Sequence, residues 1–387
     1  MHICFLTLDF SPFRSSGLSI YAERMVEGLA ARGHTVTVVA SSRAGYAQID
    51  SVRLSDNVNI IRVPIGRADW VGFGWQAAKY LRSKGSNFDI VHFADIHFAY
   101  AYRGPFVASA FQSFRQRLTS HHGRPYHTNW RNCLFRIVYY NVARWMMEQP
   151  AVRRATHIVM SSAATQREFI EHYYANPMRT TVIYPGIDLH RFEKLPEQIE
   201  ARQYLGLPTD MPILLYVGFS TPRKGVEYLA QALTHMKTLA YLVMVGKWEV
   251  GYQERFLNAL GSARARVHIA GYVPDVDLPL YFAAANAFVF PTLLEGFGIP
   301  LVEAMVAGLP VITTTGGAAS EVVGNAGLVV KPCDSNALAQ AIDRVLNDPD
   351  LAYQLRQAGQ CRAHALFDQH RAAADLEALY YRLISAS

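Results

Sequence analysis

The chain has little of what staples a small fold together. Only four cysteines occur in 387 residues, Cys4, Cys133, Cys333 and Cys361, and no two stand in a Cys-x-x-Cys spacing. That argues against a disulfide framework or a cysteine zinc cluster and fits a reducing cytoplasm. Charged residues are sparse too, 18% against 51% hydrophobic, which argues against a disordered chain and fits large packed interiors. No apolar run is long and uncharged enough to span a bilayer. The first apolar stretch, HICFLTL, lacks the basic start and longer core of a signal peptide. No Gly-x-Gly-x-x-Gly follows it; SSGLSIYA stands there instead, which tells against an NAD-dependent oxidoreductase. Internal repeats and low-complexity tracts are also missing.

What is present is an alternation of short apolar runs with longer helical patterns, the mark of repeated βαβ units and parallel sheets. The first half offers HICFLTL, a helix over Leu18–Arg32 stopped by Gly33, then HTVTVVA, VNIIRV, DIVHF, RLTSH, a helix near Trp130–Met147, THIVMSS and TVIYPG. The second restarts with PILLYVG. It continues through a helix near Gly225–Met236, LAYLVMVG, a helix near Tyr252–Leu260, VHIAG, NAFVFPT, PVITTT and GLVV. Such a length is too great for one ordinary core. The charged, proline-bearing stretch Gly186–Ala201 reads as a linker. The sequence therefore predicts an α/β chain of two doubly wound domains, 1–188 and 189–366, facing a central cleft. An amphipathic terminal helix, Gln369–Ala386 within 367–387, is expected to return to the first domain. Ligands in open parallel sheets bind at the carboxyl ends of strands. Asp9, Ser11, His92, Asp95, His121, Gly218, Lys247 and Glu295 are the polar or glycine residues expected there.

Charge is divided unevenly. Residues 1–188 hold 21 basic against 12 acidic side chains, and residues 189–387 hold 16 against 19. Tyr102–Arg154 contains nine arginines, one acid (Glu148), and aromatics that include Phe106, Phe114, Phe135, Tyr139, Tyr140 and Trp145. A basic, aromatic surface suits anionic lipid headgroups or a phosphorylated lipid acceptor, and nucleic acid much less. The same composition also fits aromatics buried in a core beneath solvated arginines.

The most distinctive stretch is PTLLEGFGIPLVEAMVAGLPVITTTGGAASE, Pro291–Glu321. Between Gly296 and Ser320 its one formal charge is Glu303, and Glu295 stands eight residues earlier in a glycine-bearing loop. Eight helical residues would set the two carboxylates about 12 Å apart and roughly 80° out of phase. Pro300 marks a first helical turn, which would place Glu303 where the helix dipole favours negative charge. The amides of Phe297, Gly298 and Ile299 would precede that helix, where phosphate binds. A carboxylate for hydroxyls beside amides for phosphate suits an activated sugar. Spacing alone is equally compatible with a capping Glu303 and a solvated Glu295.

With its flanks, this stretch resembles the retaining glycosyltransferases of family 4, which have the two-domain GT-B fold. The matching residues are Glu295–Pro300, Glu303-Ala304-Met305, Gly308, Pro310-Val311, Gly316-Gly317, Glu321-Val322 and Gly327–Val330. VGFSTPRKG at 217–225 and GIDLHRF at 186–192 add to them, with Gly17 and ARGHTVTVV matching more loosely in the first half. The resemblance implies a hexosyltransferase. Glu303 would hold the donor ribose, and Glu295 the hydroxyls of the transferred sugar. Phe297, Gly298 and Ile299 would offer amides to sugar or diphosphate, with Gly218 and Lys247 as further donor contacts. Arg223 and Lys224 would neutralise the diphosphate, and Gly17 would admit the phosphates to the backbone. His121 would stand beside sugar and acceptor, with His122, Asp95 and Arg124 on the acceptor side; His122 is the alternative alignment of His121. Each has an ordinary alternative: a strand-end histidine for His121, a solvated turn for Arg223-Lys224, a simple turn for Gly316-Gly317. Two departures stand out. Phe219 occupies a position where many members carry arginine, and Ser16-Gly17 leaves one glycine where two are usual.

His92 and His97 flank Asp95 in VHFADIH, but no further ligand stands nearby at metal spacing. No cofactor and no metal are expected: the chain is read as lacking an Asp-x-Asp metal clamp, and Arg223, Lys224 and helix-end amides take its place. The implied partners are a nucleotide-diphosphate sugar, UDP- or GDP-linked, and a glycan, lipid-linked or small-molecule hydroxyl acceptor. No nucleic acid is expected. The setting is the cytoplasm, with peripheral contact to an anionic membrane at its inner face as a further expectation. A nucleotide-sugar epimerase of the same fold and a non-catalytic nucleotide-sugar binder are the rival functions.

Overall fold

The computed structural model describes residues 1–11, 17–42, 55–65, 69–84, 87–119 and 130–386. The chain divides into two compact units. The first comprises Met1–Leu118, the stretch ending at Ile187, and Asp368–Ser387; the second comprises Asp188–Phe367.

The first unit is built on seven parallel strands: β1 (His2–Thr7), β2 (Thr35–Ser42), β3 (Val58–Pro64), β4 (Ile90–Phe93), β5 (Val107–Ala110), β6 (His157–Met160) and β7 (Thr180–Val182). Their order is β3-β2-β1-β4-β5-β6-β7. Ile3, Cys4, Phe5 and Leu6 are all fully buried, as a strand covered on both faces requires. On one face lies the helix Gly17–Ala31, which packs against the terminal helix Gln369–Ser385. Gly28 makes that approach possible, because a Cβ there would stand 2.5 Å from the Cβ of Ala373. Ala372, Leu376, Leu379 and Tyr380 of the terminal helix join Ile3, Phe5, Met25 and Val38 in one core.

The second unit has six parallel strands: β8 (Ile213–Val217), β9 (Tyr241–Val245), β10 (Val267–Gly271), β11 (Ala287–Phe290), β12 (Val311–Thr314) and β13 (Gly327–Val330). The order is β10-β9-β8-β11-β12-β13. The chain winds one way from β8 to β10 and the other way from β11 to β13. β8 and β11 are therefore the switch point of this sheet, and the carboxyl ends of strands at such a point are the usual ligand position. β1 and β4 hold the equivalent place in the first unit.

Two expectations are corrected. The stretch RLTSH was expected as an apolar run of the sheet, but its first residues belong to a short helix, Phe114–Thr119, and only Phe114 of that helix is buried. The strand that fills the sheet there is β5, VASA, whose small side chains give no apolar signal. His92 was expected among the strand-end polar residues. It sits within β4, fully buried, with Nδ1 against the Tyr380 hydroxyl and Nε2 2.8 Å from Ser109 Oγ. Burial pushes its imidazole down to about 3, so it serves as a neutral core contact.

Candidate functional site

The switch point of the second unit is where the sequence-marked residues meet. After β8 the chain makes a 3-10 turn over Pro222–Lys224. After β11 it runs through Pro291–Gly298 into the helix Ile299–Val306. Backbone bonds fix these two loops together: the Leu293 amide donates to Arg223 O at 2.8 Å. The loop after β12 braces the other side. Glu295 donates its amide to Gly316 O at 3.2 Å, Ala318 donates to Glu295 O at 2.9 Å, and the Thr314 hydroxyl bonds Thr292 O.

On this frame Lys224 Nζ is bonded to Glu295 Oε2, and Arg223 Nη1 lies 3.9 Å from the same oxygen. Arg223 also donates to Leu294 O at 2.6 Å, which anchors the guanidinium. Lys224 is buried, with its ammonium 4.7 Å from the Phe290 ring centroid. Burial pushes that ammonium down to about 8, against the pull of Glu295. Burial alone would raise the Glu295 carboxyl, but Lys224 and Arg223 outweigh it and hold it below the ordinary range. Two cations thus share one carboxylate, leaving a net positive site suited to an anion. Beside it, Gly298 sits at φ 97°, and a Cβ there would come within 2.8 Å of Leu301 Cδ1 and 3.3 Å of Glu295 Cγ. Glycine lets the loop turn into the helix without displacing Glu295.

The helix starts at Ile299, so Glu303 lies in its second turn and not in the first as expected. The dipole is weaker there, and burial decides its state: the carboxyl is pushed up to about 7, with Arg191 pulling down and Asp275 pushing further up. Arg191 is held by a bond of 2.6 Å from Nη2 to Asp275 O. A buried carboxyl near a fixed guanidinium, poised near neutrality, is suited to accept hydroxyl protons from a polyol.

Gly218 and Lys247 end the strands β8 and β9. The Gly218 amide donates to Val245 O at 2.9 Å, and the exposed Lys247 ammonium lies 4.8 Å from the Tyr272 ring centroid. In the first unit Gly17 opens its helix, exposed. Asp95 caps the turn Ile96–Ala99 by accepting from the His97 amide at 3.0 Å. Its carboxylate also meets His97 Nδ1 at 2.6 Å, and His97 Nε2 meets Glu148 Oε1 at 2.8 Å. Burial would lower the His97 imidazole, but the two carboxylates overcome this and raise it to about 9. Asp95 is thus engaged in a buried ionic chain. His121, His122 and Arg124 lie outside the described residues.

Two family models match the chain, "Glycosyltransferase Family 4" over residues 15–191 and "Glycosyl transferases group 1" over residues 197–362. The chain belongs to the family 4, group 1 glycosyltransferases. Its reaction class is glycosyl transfer. Among relatives, an uncharacterized glycosyltransferase of Methanocaldococcus jannaschii is 27% identical over 90% of both chains. The O-antigen chain mannosyltransferase B of Escherichia coli is 40% identical over 35% of this chain and 36% of its own length. A D-inositol 3-phosphate glycosyltransferase of Streptomyces scabiei is 30% identical over 61% of this chain and 56% of its own. The fold is shared with sucrose-phosphate synthase of Thermosynechococcus elongatus, at a TM-score of 0.80 and 24% identity over the whole of both chains. It is shared also with Anabaena HepE in complex with UDP and glucose, at 0.74 and 21% over 99% and 100%.

In this glycosyltransferase the group 1 match contains Arg223, Lys224, Lys247, Glu295 and Glu303. The structure brings Arg223, Lys224, Glu295 and the Phe297–Ile299 loop together, with Glu303 on the helix that follows. Sequence reasoning missed three partners: Phe290 beneath Lys224, Arg191 facing Glu303, and Tyr272 beneath Lys247. Arg191 lies in the GIDLHRF motif and could have been found there; Phe290 looked like ordinary core. One further point is corrected. The expectation of a metal-free site leaned on the absence of an Asp-x-Asp spacing, yet Asp275-Val276-Asp277 and Asp348-Pro349-Asp350 both have it. That ground for metal independence therefore falls away.

Proposed function

We propose that this glycosyltransferase moves a hexose, with retention of anomeric configuration, from a UDP- or GDP-linked donor to a hydroxyl of a glycan, lipid-linked or small-molecule acceptor. The observation that carries this reading is the Lys224–Glu295–Arg223 cluster at the β8/β11 switch point. It offers two anchored cations for a diphosphate next to a carboxylate for sugar hydroxyls. HepE, whose fold this chain shares, has been solved with UDP and glucose, which supports a donor of that kind.

In this reading Lys224 and Arg223 stabilise charge as it develops on the departing diphosphate, without reorganising, because both are already fixed. The amides of Phe297, Gly298 and Ile299 add dipoles on the same side. Glu295 orients the donor through its hydroxyls, and Glu303 holds the ribose. The acceptor oxygen attacks the anomeric carbon from the face the phosphate leaves. The new carbon–oxygen bond forms as the old one breaks, and the departing phosphate oxygen takes the acceptor's proton. The transition state resembles an oxocarbenium ion. These fixed cations suit a reaction that runs without a metal; assay in the presence of a chelator tests that part separately.

A thermal-shift panel of UDP-, GDP-, ADP- and dTDP-sugars identifies the donor, since ligand binding raises Tm by mass action. The matching radiolabelled donor is then expected to label an acceptor. Isomerised donor without transfer would make the protein an epimerase. Binding with neither reaction would make it a nucleotide-sugar binder, and either result would overturn the proposal.

A further inference from the structure

The helix Trp130–Ala143 runs on into a π-helical turn, Arg144–Glu148. Its inner side is well held. Trp70 donates to the Tyr139 hydroxyl at 2.6 Å, Tyr140 stacks on Phe114 with centroids 5.5 Å apart, and Ala143 is buried. At the end of the turn Glu148, fully buried, accepts the Phe114 amide at 3.1 Å and pairs with His97. A helix anchored this way would ordinarily present polar residues outward.

This one does the reverse. Leu134, Phe135 (69% exposed), Val138 (55%), Val142, Trp145 (56%) and Met146 (71%) all face solvent. At 100° per residue they fall within an arc of about 120°, so they form one continuous stripe. Exposed apolar surface on this scale marks a contact site. Asn141, at the edge of the stripe beside Leu134, turns its side-chain amide to Ile137 O at 2.8 Å. The stripe therefore offers little directional hydrogen bonding to a structured protein partner.

Charge selects the occupant. From Trp130 to Met147 the chain has Arg131, Arg136 and Arg144 and no acid. The next acid along the chain, Glu148, is buried and bonded inward to His97 and the Phe114 amide. An apolar stripe with a tryptophan, on a segment that carries arginines and no exposed acid of its own, has the composition of an interfacial helix on an anionic surface. We propose that helix Trp130–Ala143 and its π turn dock this protein on an anionic phospholipid bilayer, apolar stripe toward the acyl chains, with the arginine-rich composition of Tyr102–Arg154 favouring the anionic headgroups. This does not depend on which sugar is transferred.

The test is flotation of the full chain with vesicles of phosphatidylcholine mixed with phosphatidylglycerol, and with pure phosphatidylcholine. The protein is expected to float with the mixed vesicles, less so at high salt, and weakly with the neutral ones. A triple variant, Phe135→Ser, Val138→Ser and Met146→Ser, is expected to lower partitioning at least about tenfold, with Tm and circular dichroism unchanged because the side chains are exposed. Brominated acyl chains are expected to quench tryptophan fluorescence in the parent and much less in Trp145→Phe. Equal partitioning of variant and parent would overturn the proposal. So would a parent that sediments as a dimer without floating, and becomes monomeric in the triple variant, because the stripe would then join two copies.

Discussion

At the scale of single residues, burial and pairing set the protonation of the site. Lys224 and Glu295 hold each other charged, with Lys224 lowered to about 8 by burial. Lys224→Ala is expected to cut kcat/KM by about 2–4 kcal/mol if the ammonium faces the leaving oxygen. Steady-state kinetics with the donor found by thermal shift checks this, and unchanged turnover would remove Lys224 from the mechanism. Glu303 behaves in the opposite sense. Its carboxyl, raised from 4.5 to about 7 by burial, favours the folded state below pH 4.5, and that contribution is lost as the pH rises through 7. Glu303→Gln removes the charge. Its Tm is expected to exceed the parent's at pH 8, by the equivalent of about 1–3 kcal/mol, with the gap closing toward pH 4.5. The same variant is expected to bind donor about ten- to a hundredfold more weakly, as loss of a charged hydrogen-bond partner entails. A variant equal to the parent in both pH-dependent Tm and donor affinity would show that Glu303 is neither buried as a charge nor in contact with the donor.

At the scale of elements, the loop into helix Ile299–Val306 depends on one backbone conformation. Gly298→Ala forces a side chain into φ 97° against Leu301 and Glu295. It is expected to cost about 1–3 kcal/mol in chemical denaturation and to raise KM for the donor, because the strain is relieved by moving Glu295. Elements of this second unit were legible from the sequence because β8, β9 and β11 are unbroken apolar runs and the glycine and proline punctuation is dense. Less was legible in the first unit. VASA is too small to read as a strand, and Phe114–Thr119 has too short a helical pattern to recognise. The helix Asp69–Lys84 carries Gly72 and Gly74, which lower its helix propensity. Of the site, Glu295, Arg223 and Lys224 could be read because charge is rare around them. Phe290 could not be assigned a role, since it acts through Lys224, a spatial neighbour far off in the sequence. Arg191 was marked by its motif, but its partners Asp275 and Glu303 lie still further along the chain. The apolar stripe on Trp130–Ala143 was equally unreadable, because composition does not say which side of a helix meets solvent.

At the scale of the whole molecule, the first unit takes its final helix from the far end of the sequence. Tyr380, fully buried, meets His92 Nδ1 through its hydroxyl, and Leu376 and Leu379 fill the core beside Phe5. A chain ending at Phe367 is expected to lose the first unit's unfolding transition in calorimetry while the second unit's remains. Retention of both transitions would show that the helix is dispensable. The same arrangement reverses the usual order of events during translation, in which the leading domain folds first. The segment from Met1 to Ile187 leaves the ribosome early but cannot seal its hydrophobic interior until residues 368–387 have emerged. The later-made half, which needs nothing downstream of Phe367, reaches its native packing first. Newly made protein is therefore expected to pass through a stage with one finished lobe and one open one, which limited proteolysis of arrested nascent chains would reveal.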